Sequence, residues 1–257
     1  MTLQQINDQE KVWLLQEKYH GIETPEYVQE CKLIDAGMPV AYLIGNIEFL
    51  DCHIDLASKP LIPRAETEYW VDALIKKYKN KYSEAELRNI KVLDVFAGSG
   101  CIGIALKKHL GSQLDFAELK RKHCEQIRKN LEINFEDNIS QVFQSDVLCD
   151  VPTKEYDLIV ANPPYVPKVH RGTLVQDSVN KYEDPDAVYA GNNGNALIQS
   201  LVNSVRPFLS DDGSIHIEHD PSQTHTLMKY LSSTWTTQVI KDQFRRDRVL
   251  ELRKKRH

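Results

Sequence analysis

The chain has 257 residues, of which 41% are hydrophobic and 27% charged, a length and balance that build one sizeable core and exclude a disordered or collagen-like chain. Thirty-two basic residues against 37 acidic ones give a net charge of −5, so the chain as a whole lacks the basic footprint of a protein that grips a long stretch of phosphate backbone. Five widely spaced cysteines, Cys31, Cys52, Cys101, Cys124 and Cys149, include no Cys-x-x-Cys, which points to reduced thiols and to no metal site. Met1 to Glu17 shows neither a signal nor a transit pattern, and no run approaches the roughly 18 apolar residues of a membrane span. The expectation is a soluble, cytoplasmic protein with no membrane partner.

In chain order, residues 1–38 read as a short helical cap in two pieces, with Val12, Leu14 and Leu15 in the first and Tyr27, Cys31, Leu33 and Ile34 in the second, after Pro25. Residues 39–64 read as a hairpin linker, because Tyr42, Ile44, Ile47, Phe49, Ile54 and Leu56 are interrupted by Gly45-Asn46 and Asp51-Cys52. Past Pro63, the spacing of Val71, Leu74, Ile75 and Tyr78 predicts a helix with one buried face. From there strands and helices alternate: a strand at Ile90–Ala97, a helix at Ile102–Leu110, a strand at Gln113–Ala117 and a helix at Arg121–Ile133. Strands at Gln141–Val147 and Tyr156–Ala161 follow, then a helix at Ala196–Leu209 and a strand at Ser214–Glu218. Val239-Ile240 and Val249-Leu250 suggest a closing hairpin. The alternation predicts a mostly parallel sheet with helices on both faces, occupying residues 65–257, and ligands at the carboxyl ends of its strands.

Three features carry chemistry. Asp94-Val95-Phe96-Ala97-Gly98-Ser99-Gly100-Cys101-Ile102-Gly103 is a strand running into a glycine turn that opens a helix, where backbone amides approach a ligand closely. The spacing Gly98-x-Gly100-x-x-Gly103, with Glu118 after the next strand, also suits a nicotinamide dinucleotide. Glu118 is placed to accept from both ribose hydroxyls, with Asp115 as the rival, and Asp146 to accept from an adenine amino group. The third feature is Asn162-Pro163-Pro164-Tyr165, directly after the apolar Leu158-Ile159-Val160-Ala161. Two prolines remove backbone donors, the Asn side chain offers an acceptor and a donor, and a Tyr stacks on a planar group. Such a turn holds a planar nitrogen and disperses the positive charge that develops as it takes a methyl cation.

In this order Asp94-x-Phe96-x-Gly98-x-Gly100, Glu118, Asp146 and Asn162-Pro163-Pro164-Tyr165 resemble the class I S-adenosylmethionine-dependent methyltransferases of planar nitrogens. Five further stretches are similar to the HemK/PrmC family of release factor glutamine methyltransferases. They are Pro39 to Gly45, Leu61-Ile62-Pro63-Arg64-Ala65-Glu66-Thr67-Glu68, Tyr182-Glu183-Asp184-Pro185 with Ala190-Gly191, Ser214 to Glu218, and Arg246 to Leu250. The resemblance implies a Rossmann-like, seven-stranded sheet and methyl transfer from S-adenosylmethionine to the side-chain amide of the Gly-Gly-Gln glutamine in class 1 peptide chain release factors. It implies Asn162, Pro163, Pro164 and Tyr165 as catalytic residues, with Asn162, Pro163, Tyr165, Arg64 and Glu66 on the substrate and Glu68 beside them. Asp94, Phe96, Ala97, Gly98, Gly100, Glu118, Asp146 and Asn162 fall to the cofactor. Nucleic acid enters only through the release factor, although an adenine-N6 nucleic-acid methyltransferase would use the same Asn-Pro-Pro-Tyr. Ala65 stands where the family commonly has proline.

Overall fold

A computed structural model describes residues 2–136, 139–165, 181–182 and 194–255. Helix α1 (Leu3–Glu17) opens with a capping box in which Thr2 and Gln5 exchange side-chain and backbone bonds. Helix α2 (Pro25–Asp35) starts on a proline behind Thr24. Leu14 and Ile34 are buried between them with Val40 and Leu43, in a cluster separate from the main core. Val12 and Leu33, which mark the two helical pieces in the sequence, are exposed, because each lies off the face that carries Leu14 or Ile34. Lys18 ties the piece together, donating to Glu30 at 2.7 Å and to the carbonyl of Leu43 at 2.8 Å.

Tyr42 and Ile44, read from sequence as strand residues, belong to a short helix, α3 (Val40–Ile44), which Gly45 ends in the left-handed conformation at φ 93°. The hairpin is β1 (Asn46–Phe49) with β2 (Cys52–Asp55). Phe49, Cys52, Ile54, Leu56 and Ile62 are buried in the main core, so the segment is a wall of that core and more than a spacer. Its outer edge is closed by three carboxamides one turn apart on α7 (Arg121–Asn134). Gln126, Asn130 and Asn134 accept from the backbone N–H of Ser58, Asp55 and His53 at 2.8, 2.9 and 3.0 Å. Side chains four residues apart share a helix face, which is why this spacing can follow a strand edge.

Helix α4 (Ala65–Lys81) buries Val71, Leu74, Ile75 and Tyr78 as its spacing predicts, followed by the single turn α5 (Glu84–Leu87). The sheet then builds from β3 (Lys91–Val95), β4 (Gln113–Glu118), β5 (Val142–Gln144), β6 (Tyr156–Ala161), β7 (Leu209–Glu218), β8 (Trp235–Lys241) and β9 (Asp247–Lys254). Strand order is β5-β4-β3-β6-β7-β9-β8, parallel except for β9, which is antiparallel to both of its neighbours. Residues alternate between faces as a pleat requires. Val92, Leu158 and Val160 join the core under α4 and α6 (Cys101–Leu110), while Leu93, Val95, Ile159 and Ala161 join the core on the other face, with residues of α8 (Ala196–Ser204) and α9 (Thr224–Leu231).

Several predicted spans differ, among them the strand expected at Ser214–Glu218, which begins five residues earlier at Leu209, and that expected at Ile90–Ala97, which is Lys91–Val95. The strand expected at Gln141–Val147 is only Val142–Gln144, because Val147 turns to φ 55°. The helix expected to Leu209 stops at Ser204, and Leu209 already belongs to β7. Pro207 has no N–H to continue an α-helix, and Arg206–Phe208 form a 3-10 turn. Helix α9 had no counterpart in the sequence reading. No described helix is long and apolar enough to cross a membrane.

Candidate active site

Strand order reverses at β3: the chain runs outward through β4 and β5, then returns to place β6 on the other side of β3. The crevice at the carboxyl ends of β3 and β6 is the topological switch point where such sheets bind ligands. The glycine turn leaves β3 there, and Asn162 leaves β6 there.

The turn is held by backbone conformations that few residues adopt. Phe96, Gly98 and Gly100 have φ of 59°, 56° and 81°, and a bulky residue such as Phe in that region is strained. A Cβ on Gly98 would meet nothing within 4 Å, so its backbone faces open space. Gly103 serves packing: a Cβ there would lie 2.6 Å from Phe116 Cε1, so its absence lets α6 close onto β4. Asp94 sits behind the turn, accepting from the backbone N–H of Gly103 at 2.9 Å. Burial pushes its carboxyl up to about 8, against that hydrogen bond and with help from the charge of Glu118. Asn130 donates to the carbonyl of Ser99 at 2.9 Å and to that of Asp55 at 3.1 Å, joining the turn to the hairpin.

Glu118 is the last residue of β4. Its carboxylate accepts from the backbone N–H of Gly98 and of Lys120, both at 2.9 Å, and Oε1 lies 3.5 Å from Nδ1 of His123. Burial works to raise this carboxyl, but the bonds from His123, Lys120 and Gly98 outweigh it and hold it below the ordinary carboxylate range. Asp115, the rival, is engaged elsewhere, with Lys154 at 2.8 Å, Tyr156 at 2.9 Å and the backbone N–H of Gln141 at 3.1 Å. Asp146 is exposed at the rim, next to Val147.

These groups line one cleft. Phe96, Ala97, Gly98, Glu118, Asp146, Asn162, Pro164 and Arg64, all expected at the site, form its walls. Pro163 and Tyr165 adjoin that wall, while Asp94 and Gly100 lie behind it. Glu66 is not in the wall; its charge bears on buried Glu218. Glu68 braces the hairpin by accepting from the backbone N–H of Leu50 at 3.1 Å.

Asn162 donates from Nδ2 to Thr67 Oγ1 at 3.4 Å, and its Oδ1 is buried with no hydrogen-bond partner among the described residues. Beneath it, Glu218 accepts from the Thr67 hydroxyl and from Trp70 Nε1, both at 2.8 Å, and from the Tyr165 hydroxyl at 3.5 Å. Tyr165 is therefore turned toward the interior rather than presented as an exposed ring, and the side chain of Gln223 donates to its carbonyl at 3.0 Å. Burial raises the Glu218 carboxyl, opposed by Trp70, Thr67 and the nearby Arg248.

Sequence reasoning assigned no role to Thr67, His123, Leu119 or Glu218. Thr67 and Glu218 stood inside quoted stretches, and the signal was a carboxylate ending the apolar Ile215-His216-Ile217. Leu119 lines the cleft at 52% exposure, an apolar surface suited to a planar ligand. Of the Tyr182-to-Gly191 stretch, only Tyr182 lies among the described residues, with its hydroxyl on the carbonyl of Ala36 at 3.3 Å.

Comparison with known proteins agrees with this arrangement. The Methyltransferase small domain family matches residues 72–182. The ribosomal protein L11 methylase of Lactobacillus delbrueckii superposes with a TM-score of 0.56 at 17% identity, over 79% of this chain and 84% of that one, which shows the fold. The release factor glutamine methyltransferase of Lactococcus lactis is 29% identical over 98% of this chain and 91% of its own length. That of Francisella tularensis is 32% identical over 83% of this chain and 73% of its own. On that identity and coverage, and with the sheet order and switch-point cleft described, the chain belongs to the release factor glutamine methyltransferase family.

Proposed function

We propose that this enzyme transfers a methyl group from S-adenosylmethionine to the side-chain amide nitrogen of the Gly-Gly-Gln glutamine of a class 1 peptide chain release factor. The observation that carries the reading is Asn162 Oδ1, an acceptor buried without a partner among the described residues, in the same cleft as Gly98 and Glu118. A buried acceptor left unpaired costs free energy unless a ligand satisfies it.

The residues fit the cofactor. The open backbone of Gly98 leaves room for its amino-acid portion. Glu118 is held charged by three donors and keeps lone-pair capacity for ribose hydroxyls. Asp146 and Leu119 flank the place where a base would lie. S-adenosylmethionine, when bound, supplies its methyl group from a positively charged sulfonium, which is the electrophile.

The protein's own part is then orientation and charge. Asn162 Oδ1 accepts one N–H of the glutamine amide, and the carbonyl of Pro163 takes the other, which fixes the plane of the amide. Neither Pro163 nor Pro164 has an N–H to compete for these acceptors. As the nitrogen gains the methyl group it carries positive charge, which the two carbonyl dipoles offset until its surplus proton leaves to solvent. Arg64 lines the cleft on the side of α4, and Tyr165 anchors the turn through Glu218 and Gln223. The five cysteines are free thiols, which suits the cytoplasm where release factors act. Residues 1–38 and 39–64 we assign as a helical cap and a hairpin wall ahead of the catalytic domain at 65–257.

The test is transfer of labelled methyl from S-adenosylmethionine to a release factor. Label must appear on the intact factor and be absent from one whose Gly-Gly-Gln glutamine is replaced by alanine; equal label on both contradicts the reading.

A further inference from the structure

A carboxamide can present either its oxygen or its nitrogen to a ligand, and for Asn162 the two choices are chemically opposite. The oxygen accepts a substrate N–H, whereas the NH₂ would compete for the lone pair that must take the methyl group. The choice is made beneath the cleft, by groups that cannot all reverse. Trp70 Nε1–H only donates, and it donates to Glu218 Oε2 at 2.8 Å, which makes that oxygen an acceptor. The Thr67 hydroxyl gives its single proton to the same oxygen at 2.8 Å, so the Thr67 oxygen is left to accept. Facing it at 3.4 Å, Asn162 must offer Nδ2. Its Oδ1 is thereby turned away from Thr67, where it is buried and has no partner among the described residues.

The geometry points to Trp70, Glu218 and Thr67 as a one-way hydrogen-bond relay that positions the Asn162 carboxamide with its oxygen toward the nitrogen to be methylated. The inference rests on the reading of Asn162 as the substrate ligand. Glu218 and Thr67 are positioning residues: they act through Asn162. The relay runs in this direction with Glu218 ionised or with its proton on the other oxygen, which faces Tyr165, because Oε2 then only accepts. The same arrangement explains why a carboxyl group stands fully buried at the end of β7, where an apolar residue of similar volume would pack at less cost in desolvation.

The test compares Thr67→Val, which keeps the shape and removes the hydroxyl, with Thr67→Ser, which keeps the hydroxyl. Thr67→Val is expected to lower kcat by roughly tenfold or more, with release factor KM and cofactor Kd little changed, because an oriented acceptor is lost and no binding surface is. Thr67→Ser restores most of the rate. A Thr67→Val rate equal to wild type, or a Thr67→Ser rate as low as Thr67→Val, overturns the relay. Trp70→Phe, which removes the donor that sets the direction, gives the same kcat loss and serves if Thr67→Val does not fold. A wild-type protein that methylates no release factor overturns the functional reading instead. The relay is then judged by the ¹⁵N-edited side-chain amide signal of Asn162, whose protons exchange slowly with water in wild type and in Thr67→Ser and rapidly in Thr67→Val. Identical exchange in all three overturns it.

Discussion

The backbone N–H of Gly98 donates to Oε2 of Glu118 at 2.9 Å, so the turn that lets a ligand approach and the acid beside it form one hydrogen-bonded unit. Glu118→Ala removes an acceptor for the cofactor and releases the turn together. The expected rise in the S-adenosylmethionine dissociation constant is about 10- to 150-fold, or roughly 1.5 to 3 kcal/mol for lost bonds to a charged group. Titration calorimetry measures it. An unchanged affinity would take Glu118 out of the site, and Asp115 does not replace it, because Lys154, Tyr156 and Gln141 occupy that carboxylate.

Gly103 tests the seam between α6 and β4. Gly103→Ala drives a methyl group to within 2.6 Å of the Phe116 ring and 3.0 Å of Leu114 Cδ1. Overpacking of this kind costs about 1 to 3 kcal/mol, and each kcal/mol lowers Tm by about 2 to 4 °C in a chain of this size. Thermal unfolding followed by circular dichroism reads the shift. A Tm equal to wild type would mean that helix and strand are farther apart than described.

Acid stability rests on two buried imidazoles. Burial pushes both His216 and His219 down to about 4. At His216 the charge of Glu251 opposes the effect, and those of Lys77 and Arg253 add to it. An unfolded histidine titrates near 6.5, so between pH 6.5 and 4 these two imidazoles bind more protons in the unfolded chain than in the folded one, while Asp94, raised to about 8, binds more in the folded chain and works against them. The stability the imidazoles give is complete above about 6.5 and is lost as pH falls toward 4. As pH falls across that window, the urea midpoint of wild type should lose ground relative to that of His216→Gln, which lacks one of the two imidazoles. A constant difference between the two contradicts the assignment.

Ala65 is the first residue of α4, behind an N-cap Arg64 at φ −101° and ψ 149°. That extended conformation is the one a residue takes before proline, and proline suits the first helical position. Ala65→Pro should raise stability by about 0.4 to 1 kcal/mol by restricting the unfolded chain. Denaturant unfolding checks it, and a lower midpoint would show that the helix start is not arranged as described.

What the sequence made legible follows local physics. The helix at Val71, Leu74, Ile75 and Tyr78 repeats on one face, and Leu158–Ala161 within β6 is an unbroken apolar run, so both could be read directly. The glycine turn, Glu118 and Asn162 could be placed because each follows a strand end. The glycine spacing alone also admitted a nicotinamide dinucleotide, an alternative that family membership removes. Tyr42 and Ile44 misled because an apolar alternation fits one helical turn as well as a strand, and Gly45 decides between them only in three dimensions. The partners Thr67 and Glu218 are 151 residues apart in sequence. No periodicity reports a contact of that range, so the acids quoted for the resemblance had no visible function until β7 carried Glu218 beneath α4.

The proposed function turns on whether Asn162 presents its oxygen to a release factor glutamine. The most direct measurement is to incubate wild type and Asn162→Ala with S-adenosylmethionine and a class 1 release factor from the same source, and to map added methyl mass by peptide mass spectrometry. The account predicts one methyl group on the Gly-Gly-Gln glutamine with wild type and none with Asn162→Ala, while calorimetry shows the variant still binding the cofactor. Methylation by Asn162→Ala at the wild-type rate, or methyl on another residue alone, would contradict it.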